Sequence, residues 1–398
     1  MTPNLSAEFL EAVHTSKPVA GYTHNFYRYP ARFSPLFARA AIKAFSQPGN
    51  IIYDPFMGGG TTLVEARALG RKGIGTDISS LATFVSEAKT ALLSPDDIST
   101  IRSWAAQLPN HLNLHRPPVR ATSWLEAGYQ RNINGRSTWP TRKLLELALA
   151  QIDELPTLEQ RRFSRCVLLK TAQWALDCRT HIPTVTQFRR QFFIYLEEML
   201  EGASSFAETV REAERQYNRG DQLVPLCINR SVIGVEADDA WSDQSAPSLV
   251  LTSPPYPGVH VLYHRWQIQG RRETPVPFWI ADRRDGNGAS YYTFGDRHAQ
   301  NLNGYYEQIR AAFTSIAAVS GPRTIVVQMV AFSDPAWQLP RYLDTMNEAG
   351  LTEIVYPGFS DYPDGRLRRF VPNRKWYADQ RGEIAASKEV VLFHRPRT

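Results

Sequence analysis

Hydrophobic and polar positions near the start of the chain follow helical and strand periods in turn. Residues 33–46 carry apolar side chains at helical spacing, and the Pro48–Gly49 pair predicts the end of that helix. The short apolar run 51–56 predicts a strand, residues 61–70 a second helix, and residues 72–77 a second strand that ends in an acid. A strand, a glycine loop, a helix and an acid-tipped strand in this order are typical of the opening βαβ unit of a nucleotide-binding α/β sheet.

The middle of the chain has a different pattern. From about residue 90 to 230 the spacing of apolar positions is mostly helical, and the segment contains several prolines. Five apolar side chains share one face of a predicted helix, so we expect that face to pack against another part of the protein. They are Phe192, Leu196, Met199, Phe206 and Val210.

Strand patterns resume after this helical part. Residues 231–241 and 248–256 predict strands, and the arginine- and tyrosine-rich stretch 257–302 predicts loops. Both ends of the chain should therefore build one parallel-type sheet, with a helical insertion between them. The remaining predicted elements are helices over 303–318 and 337–348 and strands over 324–330, 351–356 and 388–393.

Composition permits a large folded protein and excludes several classes. Of 398 residues 43% are hydrophobic and 21% charged, which allows a sizeable core and excludes a disordered polymer. No apolar run approaches the ~20 residues that cross a bilayer, and no secretory signal is recognised, so we expect a cytoplasmic protein without a membrane partner. The net charge of +6 suits a polyanionic partner but does not establish one.

Metal and disulfide chemistry are not expected. The cysteines Cys166, Cys178 and Cys227 are far apart, with no paired spacing. The nine histidines and the acids form no cluster at ligand spacing. We therefore expect reduced thiols and no metal site.

The first candidate site is DPFMGGGTT, residues 54–62. Glycines between a strand and a helix let the backbone approach a ligand closely, and the helix start offers free N–H groups to an anion. No Gly-Lys-Thr phosphate loop is present, which argues against a nucleoside triphosphatase. Asp77 ends the next strand and is placed to accept two ribose hydroxyls. An ordinary tight turn with a helix cap is the alternative interpretation.

The second candidate site is TSPPY, residues 252–256, directly after an apolar strand. Two prolines fix the backbone and remove two N–H donors, which leaves carbonyl acceptors for a substrate that donates through an NH2 group. Ser253 adds a side-chain oxygen, and Tyr256 adds a flat face for a heteroaromatic ring. A plain Ser-Pro-Pro turn is the alternative.

Together these motifs resemble the amino-group DNA methyltransferases, which transfer a methyl group from S-adenosylmethionine to an exocyclic nitrogen of a base. The segment HNFYRYPARFSPLFARAAI (24–42) is similar to the N-terminal motif of that family. Ser253 resembles the cytosine-N4 branch, because adenine-N6 enzymes more often carry aspartate there. Adenine-N6 methylation is the nearest alternative, and a non-catalytic nucleic-acid-binding subunit is the alternative from another class.

The resemblance covers roughly residues 22–80 and 230–398 and implies an α/β fold with a Rossmann-like class I methyltransferase sheet. The helical spacing between these parts, which the resemblance does not cover, adds a large, mostly helical insertion. Residues 1–90 would form the N-terminal part of the methyltransferase domain, with the cofactor loop. Residues 91–230 would form the insertion, for target recognition, dimerisation or packing. Residues 231–398 would form the C-terminal part, with the catalytic motif and the DNA-contacting loops.

The resemblance also implies roles for single residues. Ser253 and the Pro254 carbonyl would hold the target amino group, and Tyr256 would stack on a base flipped out of the duplex. Pro255 completes this catalytic set. Implied around the cofactor are Pro30, Phe33, Asp54, Phe56, Gly58, Gly60, Thr61, Thr62, Asp77 and Asp238, with Asp239 as a competitor for the last position.

Two arginine-rich segments are candidate DNA contacts, because arginine beside aromatic rings suits phosphate pairing and stacking. Solvated or ion-paired arginines are the alternative. The expected partners are double-stranded DNA and a cognate restriction nuclease in a prokaryotic or phage cytoplasm, with a monomer or a homodimer left open. The candidate contacts are Arg265, Arg271, Arg272, Arg283 and Arg284 in the first segment and Arg368, Arg369 and Arg374 in the second.

Overall fold

A computed structural model describes residues 3–15, 19–29, 34–115, 122–217, 223–257, 265–270, 272–285, 294, 302–356, 359, 362–371 and 387–397. The helices of this part are α1 (Pro3–His14), α2 (Pro35–Phe45), α3 (Thr61–Ala68), α4 (Ser80–Thr90), α5 (Pro95–His111), α6 (Thr122–Glu126), α7 (Trp139–Asp153), α8 (Leu158–Leu176), α9 (Val185–Tyr217), α10 (Asp239–Ser242), α11 (Val276–Ala281), α12 (Asn303–Val319) and α13 (Pro335–Glu348). The strands are β1 (Ile51–Asp54), β2 (Lys72–Asp77), β3 (Leu226–Asn229), β4 (Leu249–Thr252), β5 (Trp266–Ile268), β6 (Arg272–Thr274), β7 (Ile325–Ala331), β8 (Leu351–Ile354), β9 (Leu367–Val371) and β10 (Ser387–Pro396).

A mixed sheet forms the centre of the described part. Its order is β3-β2-β1-β4-β7-β10-β8, and β9 also pairs with β10. Strands β3, β2, β1, β4 and β7 are parallel, whereas β10 is antiparallel to β7, β8 and β9. This arrangement confirms the Rossmann-like class I methyltransferase sheet. Its strand order reverses direction between β1 and β4, the place where such sheets bind ligands beyond their carboxyl ends.

Side chains of the central strands alternate between two buried faces of the sheet. Ile52 and Leu249 pack with α1 and α2 on one face. Tyr53 and Val250 pack with α12 and α13 on the other. Because helices cover both faces, these strands are apolar throughout, which explains the unbroken apolar runs in the sequence.

A helical unit packs against α4. It consists mainly of α5, α7, α8 and α9, and the face predicted for α9 is buried as expected. The hairpin β5–β6 and helix α11 join this unit, although the sequence predicts loops over 257–302. Trp266 Nε1 donates to Tyr27 Oη at 3.0 Å, and Arg165 Nη1 donates to the Ile280 carbonyl at 2.8 Å. The apolar side chains between residues 266 and 281 bury this segment.

Two strands differ from the sequence predictions. The strand expected over 231–241 lies earlier, at β3, and the expected position holds a short 3-10 helix, Val235–Ala237, followed by α10. Gly234, with φ of +80°, turns the chain out of an extended path there. Strand β9 lies in an arginine-rich segment that predicts no strand. No helix in the described ranges is long and apolar enough to span a membrane.

Candidate active site

The two candidate motifs lie side by side because their strands are neighbours. Strands β1 and β4 are parallel, with Tyr53 opposite Val250. The two residues that end these strands are also in contact, because Thr252 Oγ1 donates to Asp54 Oδ1 at 3.2 Å. The glycine loop that follows Asp54 and the Ser-Pro-Pro-Tyr segment that follows Thr252 therefore leave the same edge of the sheet.

Asp54 connects the two motifs from inside the protein. Its side chain is 2% exposed. Oδ2 accepts from Thr62 Oγ1 at 2.6 Å, and Oδ1 also accepts from the Phe56 N–H at 3.2 Å. Burial raises the pKa of Asp54 to about 7, an effect that these donors partly oppose. Asp54 thus ties the glycine loop and the first turn of α3 to the end of β4.

Helix α4 fixes the shape of the glycine loop. Gly58 and Gly60 have φ of +46° and +71°, in the left-handed region that favours glycine. Ser86 Oγ donates to the Gly58 carbonyl at 3.3 Å, and the buried Lys89 Nζ donates to the Gly59 carbonyl at 2.7 Å. Two side chains one turn apart on α4 therefore position consecutive carbonyls of the loop.

An aromatic ring also covers the loop. A Cβ on Gly58 would lie 3.3 Å from the Tyr29 ring, and one on Gly59 would lie 2.9 Å from the Tyr29 Cβ. The small residues therefore make room for Tyr29, which belongs to the N-terminal segment of the family resemblance. Pro30 and Phe33 of that segment lie outside the described residues.

Asp77 ends β2 at the same edge. Oδ2 accepts from the Gly58 N–H at 2.9 Å and Oδ1 from the Ser79 N–H at 2.8 Å. Burial raises the pKa of Asp77 to about 6, against these two hydrogen bonds. Each carboxylate oxygen keeps a second lone pair for another donor. Ile78 follows directly and is 43% exposed, which places an apolar surface beside the carboxylate.

Asp238 is anchored within the fold. It caps α10 by accepting from the Ala240 N–H at 2.9 Å, and Arg230 Nη1 lies 2.5 Å from its Oδ2. The hydrogen bond from Arg230 lowers the pKa of Asp238. Asp239 is exposed as the first residue of α10. The structure therefore distinguishes the two neighbouring acids: one is ion-paired and the other faces solvent.

Two hydroxyl groups hold the Ser-Pro-Pro-Tyr segment. The buried Tyr305 Oη donates to the Pro255 carbonyl at 2.9 Å, and Tyr256 Oη donates to Glu389 Oε1 at 3.2 Å. These contacts come from α12 and β10, far from the motif along the chain. The motif is therefore fixed by one side chain from a helix that covers the sheet and by another from a strand two places along it.

The first half of this segment has a different environment. Within the ranges that the structure describes, neither Ser253 Oγ nor the Pro254 carbonyl accepts a hydrogen bond. Ser253 is half-buried and Pro254 is buried at the sheet edge. These two oxygens are acceptors of the kind that an amino group requires.

Phenylalanine rings extend the site on one side. The Phe56 ring packs edge-on against Phe294, with centroids 5.8 Å apart. Phe294 in turn lies 6.4 Å from the ring of Tyr305. This row of rings joins the glycine loop to the residue that holds Pro255.

The first arginine segment separates into packed and exposed side chains. Arg265 and Asp285 form a buried ion pair at 3.1 Å, and Tyr129 Oη also donates to Asp285 at 2.8 Å. We therefore assign Arg265 to packing rather than to DNA contact. Arg283 pairs with Glu87 at 3.1 Å.

Arg272 and Arg284 are exposed. The Arg284 carbonyl accepts from Ser80 Oγ at 2.6 Å, which places it next to the start of α4 and close in sequence to Asp77. Its guanidinium lies 5.7 Å from the centre of the Trp124 ring. Arg271 lies outside the described residues.

The second arginine segment is ion-paired. Arg368 lies 2.5 Å from Asp364 and over the Tyr362 ring, and this arginine is the main cause of a pKa of about 2 for Asp364. Arg369 is largely buried, with its Nη1 at 3.3 Å from Glu389 Oε2. We therefore assign Arg369 to packing at the site rather than to DNA contact. Arg374 lies outside the described residues.

A comparison with protein families finds a similarity in the N-terminal part of the chain. Residues 7–85 match a family model described as DNA methylase. The match covers about a fifth of the chain. The matched segment contains the DNA methylase glycine loop and Asp77.

Curated relatives match the chain over short segments. The type II methyltransferase M.MvaI of Kocuria varians is 42% identical over 80 residues, 19% of this chain and 18% of the relative. The type II methyltransferase M.MjaII of Methanocaldococcus jannaschii is 38% identical over 68 residues, 17% of this chain and 13% of the relative. The chain thus spans less than a fifth of the length of these relatives.

Among solved structures, the rRNA methyltransferase aviRa of Streptomyces viridochromogenes aligns with a TM-score of 0.36 and 12% identity. That alignment covers 97% of this chain and 92% of the other.

S-adenosylmethionine is the methyl donor that the DNA methylase family implies. The residues present fit this cofactor. Gly58 and Gly60 bring backbone to the edge without a Cβ, and Asp77 offers carboxylate lone pairs for two hydroxyls. Ile78 adds an exposed apolar surface next to this acid.

Sequence reasoning missed several residues that shape the site. Ser86 and Lys89 carried a usable signal, because they lie three apart on one helix and buried polar side chains must find partners. Tyr305 and Glu389 carried none, because their contacts depend on the packing of α12 and β10 against β4 and β7.

Proposed function

We propose that this protein is a DNA methyltransferase that transfers a methyl group from S-adenosylmethionine to the exocyclic N4 of cytosine in double-stranded DNA. The single observation that carries the proposal is the hydrogen bond from Thr252 to Asp54. It joins the DNA methylase loop to the Ser-Pro-Pro-Tyr segment at one edge of the sheet. A methyl donor in the loop and an amine at the segment would then be neighbours.

The chemistry follows from the acceptors at this edge. S-adenosylmethionine supplies an electrophilic methyl group when bound. An exocyclic amine is a poor nucleophile, because its lone pair is delocalised into the ring. Ser253 Oγ and the Pro254 carbonyl would accept its two N–H groups and localise the lone pair on nitrogen. Alignment of the nitrogen with the methyl carbon would add rate enhancement through proximity. As the amine nitrogen gains the methyl group, it would release one of its two protons to solvent.

The target base must leave the duplex to reach this edge, because its amino group is paired within the stack. The half-buried Tyr256 ring offers a stacking face for a flipped base. Arg284, exposed near the start of α4, is the described arginine that we place beside the DNA backbone.

Cytosine is proposed over adenine because of Ser253. The family resemblance associates serine at this position with cytosine-N4 enzymes and aspartate with adenine-N6 enzymes. The same two acceptors would hold either amino group, so the base is decided by experiment.

The deciding experiment incubates the protein with unmethylated DNA and cofactor labelled in its methyl group, followed by digestion to nucleosides and chromatography. Label in N4-methylcytosine supports the proposal, whereas label in N6-methyladenine would show that adenine is the target base instead. Absence of label from DNA, with cofactor binding retained, favours a non-catalytic nucleic-acid-binding subunit. Ser253→Ala tests the proposed acceptor: this variant should bind the cofactor normally and lose most of its methyl transfer to DNA.

A further inference from the structure

A buried carboxylate lies behind the stacking tyrosine. Glu389, on β10, is 0% exposed, and its Oε1 accepts the hydroxyl of Tyr256 at 3.2 Å. In the sheet, Glu389 lies opposite Ala331 of β7 and Arg369 of β9. The acceptor for the tyrosine thus comes from the antiparallel strand, 133 positions along the chain.

An arginine accompanies this carboxylate. Arg369 Nη1 lies 3.3 Å from Glu389 Oε2, and its Nη2 donates to the Thr15 carbonyl at 3.4 Å. A buried carboxylate loses hydration, and a charged partner at hydrogen-bonding distance offsets much of that loss. Arg369 therefore keeps Glu389 in place while Glu389 faces Tyr256.

The geometry points to Glu389 as a positioning residue that sets the plane of the Tyr256 ring for the target base, with Arg369 as its charge partner. This inference rests on the proposed function. A tyrosine ring can rotate about two bonds, and stacking requires one orientation. Tyr305 holds the backbone at Pro255, whereas the hydroxyl contact holds the far end of the Tyr256 ring. Together they fix both ends of the stacking element.

A purely structural role for Glu389 would make a different prediction. If Glu389 only fills space on β10, its replacement should reduce stability and activity by the same amount with tyrosine or phenylalanine at position 256. If Glu389 acts through the Tyr256 hydroxyl, its replacement should reduce activity only while that hydroxyl is present. A double-mutant cycle with Tyr256→Phe separates the two roles, because phenylalanine keeps the ring and removes the donor.

The experiment measures kcat and KM for DNA methylation in Glu389→Met, Tyr256→Phe and the double variant. We expect Glu389→Met to lower kcat about ten-fold, as for one lost hydrogen bond to a charged group, with unchanged cofactor affinity. In the Tyr256→Phe background the same change should have less than about a two-fold effect. Glu389→Gln, which keeps an oxygen acceptor, should restore most of kcat. Fully multiplicative effects would overturn the inference.

Matched controls guard against misfolding. Glu353→Met removes a second carboxylate of the same sheet, less buried than Glu389, which pairs with Arg366 at 2.7 Å. Its effect on kcat should be small and independent of Tyr256→Phe. If Glu389→Met unfolds, Arg369→Met gives the second test. This variant should lower kcat without changing how DNA affinity depends on salt concentration. A smaller slope of log affinity against log salt would mean that Arg369 contacts a phosphate instead.

Failure of the two proposals can be distinguished. A wild-type protein that methylates DNA while Glu389→Met matches it in kcat overturns the positioning role alone. A wild-type protein that leaves DNA unlabelled overturns the proposed function and this inference with it.

Discussion

At the scale of single residues, burial of acids at the sheet edge links the site to pH. Asp77 has a pKa raised to about 6, so its carboxylate is largely protonated below that pH. A protonated carboxyl is a weaker acceptor for ribose hydroxyls than a carboxylate. Cofactor binding should therefore depend on pH in a range where an ordinary aspartate would not titrate.

We expect the affinity for S-adenosylmethionine to be constant near pH 7.5 and to fall as the pH drops through about 6, by up to about ten-fold per unit. Isothermal titration calorimetry between pH 5 and 7.5 measures this. Asp77→Asn should bind weakly with a flat profile. If Asp77→Asn keeps the slope, the titration belongs to Asp54, which has a pKa of about 7.

The left-handed glycine of the loop gives a second residue-scale prediction. A Cβ on Gly60 would lie 2.6 Å from Ser86 Oγ and 3.0 Å from the Ser86 Cα, at φ of +71°. Gly128 has a similar φ of +77° and open space around it. Gly128→Ala should therefore cost about 1 kcal/mol of stability from backbone strain alone.

Gly60→Ala should cost more stability than Gly128→Ala, because the loop must also move away from α4. Urea denaturation and cofactor binding compare the two variants. We expect Gly60→Ala to lose most of its cofactor affinity and Gly128→Ala to keep it. Equal stabilities and affinities in both variants would contradict the tight packing between the loop and α4.

At the scale of elements, Asp54 ties β1, α3 and β4 together through Phe56, Thr62 and Thr252. Burial raises its pKa in the folded state to about 7, well above the ordinary value of an unfolded aspartate. The folded state therefore holds a proton that the unfolded state has released between about pH 4 and 7. Over that range the contribution of Asp54 to stability decreases as the pH rises.

Asp54→Asn removes this titration while keeping a carbonyl oxygen for the same donors. The stability of the variant relative to the wild type should rise as the pH increases from about 4 to 7. Urea denaturation at several pH values gives the two free-energy curves. Parallel curves would mean that Asp54 titrates normally in the folded protein.

The sequence predicts an element well where its apolar pattern is long or where turn residues mark both of its ends. The glycine loop, β2 and α12 follow directly from turn residues and apolar spacing. Strand β3 was missed because its four residues are half-buried or exposed and show no alternation of buried and exposed positions. Arg265 is buried against Asp285, and Arg369 pairs with Glu389 of β10. Neither pairing can be read from the local sequence, so charge and aromatic composition alone suggested DNA contact.

At the scale of the whole molecule, residues 283–285 connect the helical unit to the sheet edge that holds Asp77. The Arg284 carbonyl accepts from Ser80 at the start of α4, while its guanidinium lies over Trp124 of α6. An element of the insertion and the edge that holds Asp77 therefore meet at one exposed arginine. A base delivered to this edge would bring the DNA backbone close to that cation.

We expect Arg284→Ala to lower DNA affinity at every sequence and to reduce the slope of log affinity against log salt by about one, as for one lost phosphate contact. Cofactor affinity should not change, because the guanidinium packs on Trp124 and not on the loop. Arg310→Ala is the matched control, since Arg310 on α12 is similarly exposed and pairs with Glu348 at 3.7 Å. Titration of both variants on unrelated duplexes at several salt concentrations measures the slopes. Equal slopes in Arg284→Ala and wild type would assign Arg284 to packing and leave Arg272 as the exposed arginine to test next.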